Sequence, residues 1–165
     1  MTRSDALRSE STPLEQQLKA IRQQVASVTN RLHQTESLDE TLLAAVTQLR
    51  QIFECDRVVV YRFLPDWSGE FVFESVDSQW IPLARPEFKT IWEDSYLQET
   101  QGGRYRNRET LAIDDIETAN HTDCYLEVLH QFQIRAYLTV PVFVGDRLWG
   151  LLAAYENGGP RYWQQ

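Results

Sequence analysis

Ala136-Tyr137-Leu138-Thr139-Val140-Pro141-Val142-Phe143, then Val144-Gly145-Asp146, then Arg147-Leu148-Trp149-Gly150-Leu151-Leu152-Ala153-Ala154-Tyr155 is the stretch on which the fold turns. Both flanks are rich in β-branched and aromatic residues, and a glycine sits in the short joint between them. That is the pattern of two antiparallel strands closed by a hairpin turn. A second pair lies upstream. Arg57-Val58-Val59-Val60-Tyr61-Arg62-Phe63 reads as a strand, Pro65-Asp66-Trp67-Ser68-Gly69 as a turn, and Glu70 to Val76 as the returning strand. Two hairpins imply an antiparallel sheet. The helices are expected on one of its faces, which makes an α+β sandwich.

Between the hairpins, residues 77–110 carry weak strand signals broken by Pro82 and Pro86. An irregular segment of that length inside a domain tends to be functional. Leu111-Ala112-Ile113 is a short strand, and residues 123–132 have the pattern of a short amphipathic helix. Before the first strand, Ser37-Leu38-Asp39-Glu40 has the S-x-x-E form of a capping box. It opens a helix that presents Leu42, Leu43, Val46, Leu49, Ile52 and Phe53 to a core. Leu14, Leu18, Ile21, Val25, Val28 and Leu32 alternate spacings of four and three, a heptad seam over residues 14–36. Such a seam suits either packing on its own domain or a contact between two copies. Residues 1–13 are polar and read as a frayed tail.

Composition narrows the function classes. The 165 residues, 42% of them hydrophobic, suffice for one domain with a core, and no apolar run reaches the length of a membrane span. A formal net charge of −8 argues against nucleic acid or an anionic membrane as the main partner. Of sixteen basic residues only Lys19 and Lys89 are lysines, and Arg104, Arg106 and Arg108 fall within five positions. Arginine's planar fork suits carboxylates and phosphates. Two cysteines form neither a disulfide framework nor a metal-ligand pattern, which fits a reducing cytoplasm. Cys55 reads as a buried thiol at a helix-to-strand junction. Cys124 sits at the head of a helix, where backbone N–H groups and the helix dipole favour a nucleophilic thiolate. With the polar and aromatic run upstream of it, this suits covalent capture of a large, flat, anionic ligand.

Three stretches carry a resemblance: Trp92-Glu93-Asp94-Ser95-Tyr96-Leu97-Gln98-Glu99-Thr100-Gln101-Gly102-Gly103-Arg104-Tyr105-Arg106, the segment around Cys124, and Arg135-Ala136-Tyr137-Leu138-Thr139-Val140-Pro141. Leu148-Trp149-Gly150-Leu151-Leu152 closes it. Together they resemble the bilin-binding GAF domain of a cyanobacteriochrome, in its red/green branch, over roughly residues 38–163. The resemblance implies a central antiparallel sheet and a linear tetrapyrrole bound through a thioether from Cys124 to ring A. Asp94 would accept hydrogen bonds from pyrrole N–H groups and hold the protonated, cationic bilin. Trp92 would stack near ring D, Arg104 and Tyr105 would hold the propionates, and His121 would lie near the central rings. Thr139 completes the set, and alternation in an extended Arg-Tyr-Arg would place Arg106 beside Arg104. His130 is expected on the back of its helix as a structural residue, and His33 to face solvent.

The sequence also departs from the family. Tyr125 stands where members commonly carry His, and Tyr96 is of a type seen in biliverdin acceptors. Phycocyanobilin is the expected pigment, with biliverdin the alternative. No second cysteine occurs in 70–95, so a photocycle using two thioethers is not expected. The resemblance further implies a closing helix that does not appear before Gln165. The expected function is light sensing by C15=C16 isomerisation, without catalysis on a substrate. The signal would pass through the terminal helices to a histidine kinase, cyclase or chemotaxis module. Three rival readings remain: a GAF domain for another small molecule, a GAF-type thiol oxidoreductase, and a dimerisation module built on the 14–32 seam, which would leave the Asp94 to Cys124 constellation without a purpose.

Overall fold

A computed structural model describes residues 15–16, 18–19, 21–23, 26, 38–84, 91–92 and 94–163. The chain divides into two units, residues 1–36 and 37–165. In the first unit the described residues are helical, and Leu18 and Ile21 are exposed. Leu14, Val25, Val28 and Leu32 of the expected seam lie outside the described residues. So do Ser37 of the capping box, His33, Pro86 and Glu93.

The second unit begins with helix α1, Leu38–Phe53, which carries Asp39 and Glu40 in its first turn and Arg50 in its last, in the sense that complements a helix dipole. Strands β1 (Arg57–Phe63) and β2 (Gly69–Val76) form the first hairpin, and β5 (Ala136–Val144) and β6 (Arg147–Glu156) the second. Ile91–Trp92 is β3 and Leu111–Ile113 is β4. The six strands make one antiparallel sheet in the order β3-β2-β1-β6-β5-β4. The two hairpins lie side by side because β1 pairs with β6, with Arg62 opposite Gly150.

The expectation of helices on one face is corrected. Val58 and Val60 of β1 and Ala154 of β6 meet Val46, Leu49 and Phe53 of α1 on one side of the sheet. Their neighbours Val59, Tyr61, Ala153 and Tyr155 point the other way. They pack with Leu97 of helix α2 (Ser95–Thr100) and Leu129 of helix α3 (Asp123–Gln131). The two-residue period of a strand sends alternate side chains to two separate cores. Residues 77–110 also differ from their weak strand reading. Apart from β3 they hold α2 and a 3-10 helix, Gly103–Asn107.

Candidate functional site

The α2/α3 side of the sheet encloses a cavity of about 650 Å³. Its floor comes from inward-facing strand positions: Tyr61 of β1, Tyr137 and Thr139 of β5, and Leu151, Ala153 and Tyr155 of β6. Register explains the floor. Tyr137 pairs across the strands with Tyr155, and Thr139 with Ala153, so large rings alternate with small side chains that leave room above them. The roof is made by α2, the 3-10 helix, the loop 119–122 and one face of α3.

Asp94 enters from the N-terminus of α2. It is the N-cap, with extended backbone (φ −96, ψ 107), and its Oδ1 accepts a hydrogen bond from the Leu97 N–H at 3.0 Å. Burial pushes its carboxyl above the usual range, against the pull of the backbone bonds at Leu97 and Tyr96. Tyr96, half exposed at 49%, stands at the rim, and Gly103 gives it space: a Cβ at 103 would lie 2.5 Å from the Tyr96 ring. The turn between α2 and the 3-10 helix needs glycine at Gly102, whose φ is +98.

Arg104 is exposed and lines the cavity at its rim, while Tyr105 is buried below it and shares a hydrogen bond with the Thr139 side chain. The expectation for Arg106 is corrected. The Arg-Tyr-Arg run is a turn of 3-10 helix rather than an extended strand, so Arg106 leaves the cavity. It bonds the Gln101 side chain at 3.2 Å and lies over the Trp67 ring at 6.0 Å. The backbone of Trp92 pairs with Gly69, and its side chain is outside the described residues.

Cys124 is the second residue of α3 and is exposed at the cavity edge. Thr122 caps that helix, its Oγ1 accepting from the Tyr125 N–H at 3.3 Å. Tyr125 and Val128 follow on the cavity face, one turn of α3 placing Cys124 and Val128 in line. His121 bridges two phenols. Its Nε2 is 3.4 Å from the Tyr137 hydroxyl, its ring stacks on Tyr137 at 6.0 Å, and it lies 5.1 Å from the Tyr125 ring. Burial lowers its pKa below the ordinary histidine value, so the ring is neutral at pH 7. His130 turns away to Glu117 at 2.8 Å. Cys55 is buried on the α1 side of the sheet, and both thiols are free.

Sequence reasoning missed Tyr61, Tyr137 and Tyr155 as lining residues. The available signal was strand alternation, which puts each on the face opposite Val58, Val60 and Ala154. Burial pushes all three phenols upward, Tyr137 to about 12. The cavity therefore offers neutral hydroxyl donors, one half-buried carboxyl, a cation at the rim and a thiol at the edge. Such a set can hold a long conjugated ligand with acidic groups at one place and N–H donors at another.

The GAF domain family profile matches residues 37–165. An uncharacterised protein of Picosynechococcus is 34% identical over 131 residues, covering 79% of this chain and 78% of that protein. The circadian input-output histidine kinase CikA of Thermosynechococcus vestitus is 30% identical, with 83% of this chain aligned. A putative methyl-accepting chemotaxis protein of Synechocystis is 31% identical, with 96% aligned. The chain spans only 19% and 15% of the lengths of these two signalling relatives. Among solved structures, NpR6012g4, a red/green cyanobacteriochrome in its red-light-absorbing state, is 51% identical with a TM-score of 0.73, covering 77% of this chain and 81% of that one. The third GAF domain of Slr1393 from Synechocystis, in its photoproduct state, is 56% identical with a TM-score of 0.68, over 76% and 81%. JSC1_58120g3, in a far-red-absorbing dark state with biliverdin, is 30% identical with a TM-score of 0.76, over 86% of each chain. The chain belongs to the GAF family, and within it to the GAF domains of cyanobacteriochromes.

Proposed function

We propose that residues 37–165 hold a linear tetrapyrrole covalently and act as a light sensor. The observation that carries the reading is one cavity of about 650 Å³ with Cys124 at its edge, Asp94 in its wall and Arg104 at its rim. The volume lies within the roughly 300–1,000 Å³ of cofactor pockets, and its apolar and aromatic lining suits a conjugated pigment. When bound, the bilin supplies visible absorption and a C15=C16 double bond that light isomerises.

The chain's own groups have separate tasks. Cys124, through its Sγ, is the point of attachment. Asp94, partly desolvated, gains a cationic partner that favours its charged form, and the carboxylate in turn holds a proton on the pigment. Arg104 grips a propionate in a bidentate manner and Tyr105 donates to it from below. His121, neutral and held between Tyr125 and Tyr137, offers one nitrogen as donor and the other as acceptor near the centre of the cavity. Tyr125 fills space beside Cys124 where relatives of the family carry His.

Phycocyanobilin is the proposed pigment: the biliverdin-bound domain is 30% identical, against 51% for NpR6012g4, a red/green cyanobacteriochrome, and 56% for the Slr1393 domain. The kinase and chemotaxis relatives support an output module in a larger protein, reached through the terminal helices. The domain itself would sense rather than catalyse, because Cys55 is buried across the sheet from Cys124 and cannot serve it as a resolving thiol.

Coexpression with phycocyanobilin and, separately, with biliverdin tests the reading. The expected product keeps its colour through acid denaturation, changes its absorption after red light, and is lost in Cys124→Ala. Protein that stays colourless with both pigments overturns it. Tyr125→His should shift uptake toward phycocyanobilin, measured as the ratio of bound pigments.

A further inference from the structure

A second cavity, of about 570 Å³, opens at the far end of the sheet, where the β1–β2 turn meets the β5–β6 turn. Its lining is unlike that of the first. Arg62, Arg106 and Arg147 face it together with the rings of Trp67 and Phe143, and Asp146 is its one carboxylate. Charge pairing sorts the cations. Arg62 is held by buried Glu70, and Asp146 is 3.8 Å from Arg108, which itself lies over Phe143 at 4.2 Å. Nearby Asp66 is spent on its own turn, accepting from the Ser68 N–H and hydroxyl.

Two guanidinium groups are left over. Arg147 has no ion-pair partner among the described residues, and Arg106 meets only the Gln101 amide and the Trp67 ring. In a chain of net charge −8, this puts on one cavity two guanidinium groups that have no ion-pair partner among the described residues.

We propose that this cavity binds an organic phosphomonoester. Two spare positive charges match a group that carries about −1.5 to −2 at pH 7. The guanidinium fork matches phosphoryl oxygens. The remaining volume far exceeds a bare phosphate, and the Trp67 and Phe143 edges provide a surface for an aromatic or apolar body. The site is distinct from the first cavity and does not depend on any pigment there. The 3-10 helix separates the two, with Arg104 and Tyr105 toward one and Arg106 toward the other.

Isothermal titration of the purified chain with adenosine 5′-monophosphate, adenosine and inorganic phosphate tests the site. Adenosine 5′-monophosphate should bind one-to-one with Kd below about 1 mM, and adenosine and phosphate each at least about tenfold more weakly. Arg106→Gln/Arg147→Gln should weaken the nucleotide at least about tenfold with unchanged thermal stability. Arg147→Gln alone, at the exposed first residue of β6, keeps the test open if the double variant unfolds. Nucleotide affinity unchanged in these variants, phosphate binding as tightly as the nucleotide, or no heat up to about 5 mM each overturns the proposal.

Discussion

Asp94 caps α2 through Oδ1 and at the same time faces a cavity that strips water from it. Those two demands separate under mutation. Because burial raises its carboxyl pKa, folding prefers the protonated acid. The stability tied to this group is fully present below the unfolded value, about 3.9, and is lost as pH rises through the folded one. Asp94→Asn removes the ionisation and keeps the cap, since Asn serves as well as Asp there. The pigment-free variant should therefore melt above wild type at pH 7, with the difference closing below about pH 4. Pigment-loaded protein should show the opposite order, because the carboxylate then has a cation to pair with. Equal pigment-free melting curves at pH 7 would show that water still reaches the acid. The two thiols give a second residue-level contrast. Burial pushes Cys55 up to about 11, and its Sγ donates to the Arg57 carbonyl at 3.4 Å, whereas Cys124 is exposed. Iodoacetamide at pH 8 should label one thiol per folded, pigment-free chain, and peptide mapping should place it at Cys124. Labelling of Cys55 at a similar rate would contradict its burial.

Strands, not loops, were legible in advance, and the reason is periodicity. The hairpin of β5 and β6 announces itself through β-branched and aromatic runs about a glycine turn, and α3 through a spacing near 3.6 residues. Helix α2 has six residues, under two turns, so no apolar period can show. It forms because Asp94 caps it and Leu97 buries itself in the core. The 3-10 helix that moves Arg106 out of the first cavity was hidden for the same reason. That β1 is covered on both faces was written in Val58-Val59-Val60-Tyr61, apolar at every position, which is the mark of a strand with helices on each side. Cys124 stood out by its place at the head of a helix, and Asp94, Arg104, Tyr105 and His121 through resemblance, whereas the tyrosine floor required the register of the sheet. Gly69, at the start of β2, shows how tightly that floor is held. A Cβ there would fall 2.1 Å from Tyr61 Cζ. Gly69→Ala should cost about 1–3 kcal/mol in urea unfolding, as overpacking does. Tyr61→Leu in the same chain should recover part of that loss. A double variant no more stable than Gly69→Ala would mean the strain lies elsewhere.

Across the whole domain, one buried ion pair joins the parts that periodicity does not. Arg57 of β1 and Glu74 of β2 are 0% and 4% exposed, with Nε 3.0 Å from Oε1. The contact is off the line of a good hydrogen bond, so its force is Coulombic. The remaining atoms are spent on backbone. Arg57 donates through Nη1 to the Phe132 carbonyl at 3.1 Å and through Nη2 to that of Ile81 at 2.6 Å. Glu74 Oε2 accepts from the Leu83 and Ala84 N–H groups at 2.8 and 3.0 Å. Phe132 caps the C-terminus of α3, whose other end carries Cys124. One pair thus sets the roof of the first cavity against its floor. Arg57→Met would leave Glu74 charged, buried and without its cation, a loss of about 3–5 kcal/mol. Glu74→Gln keeps an acceptor for Leu83 and Ala84 while removing the charge. If the charge is the cause, adding Glu74→Gln to Arg57→Met should restore stability rather than lower it further, a non-additive cycle read from urea midpoints. Additive losses would assign the cost to the carbonyls of Phe132 and Ile81, and the clamp would then be a hydrogen-bond device in which charge plays no part.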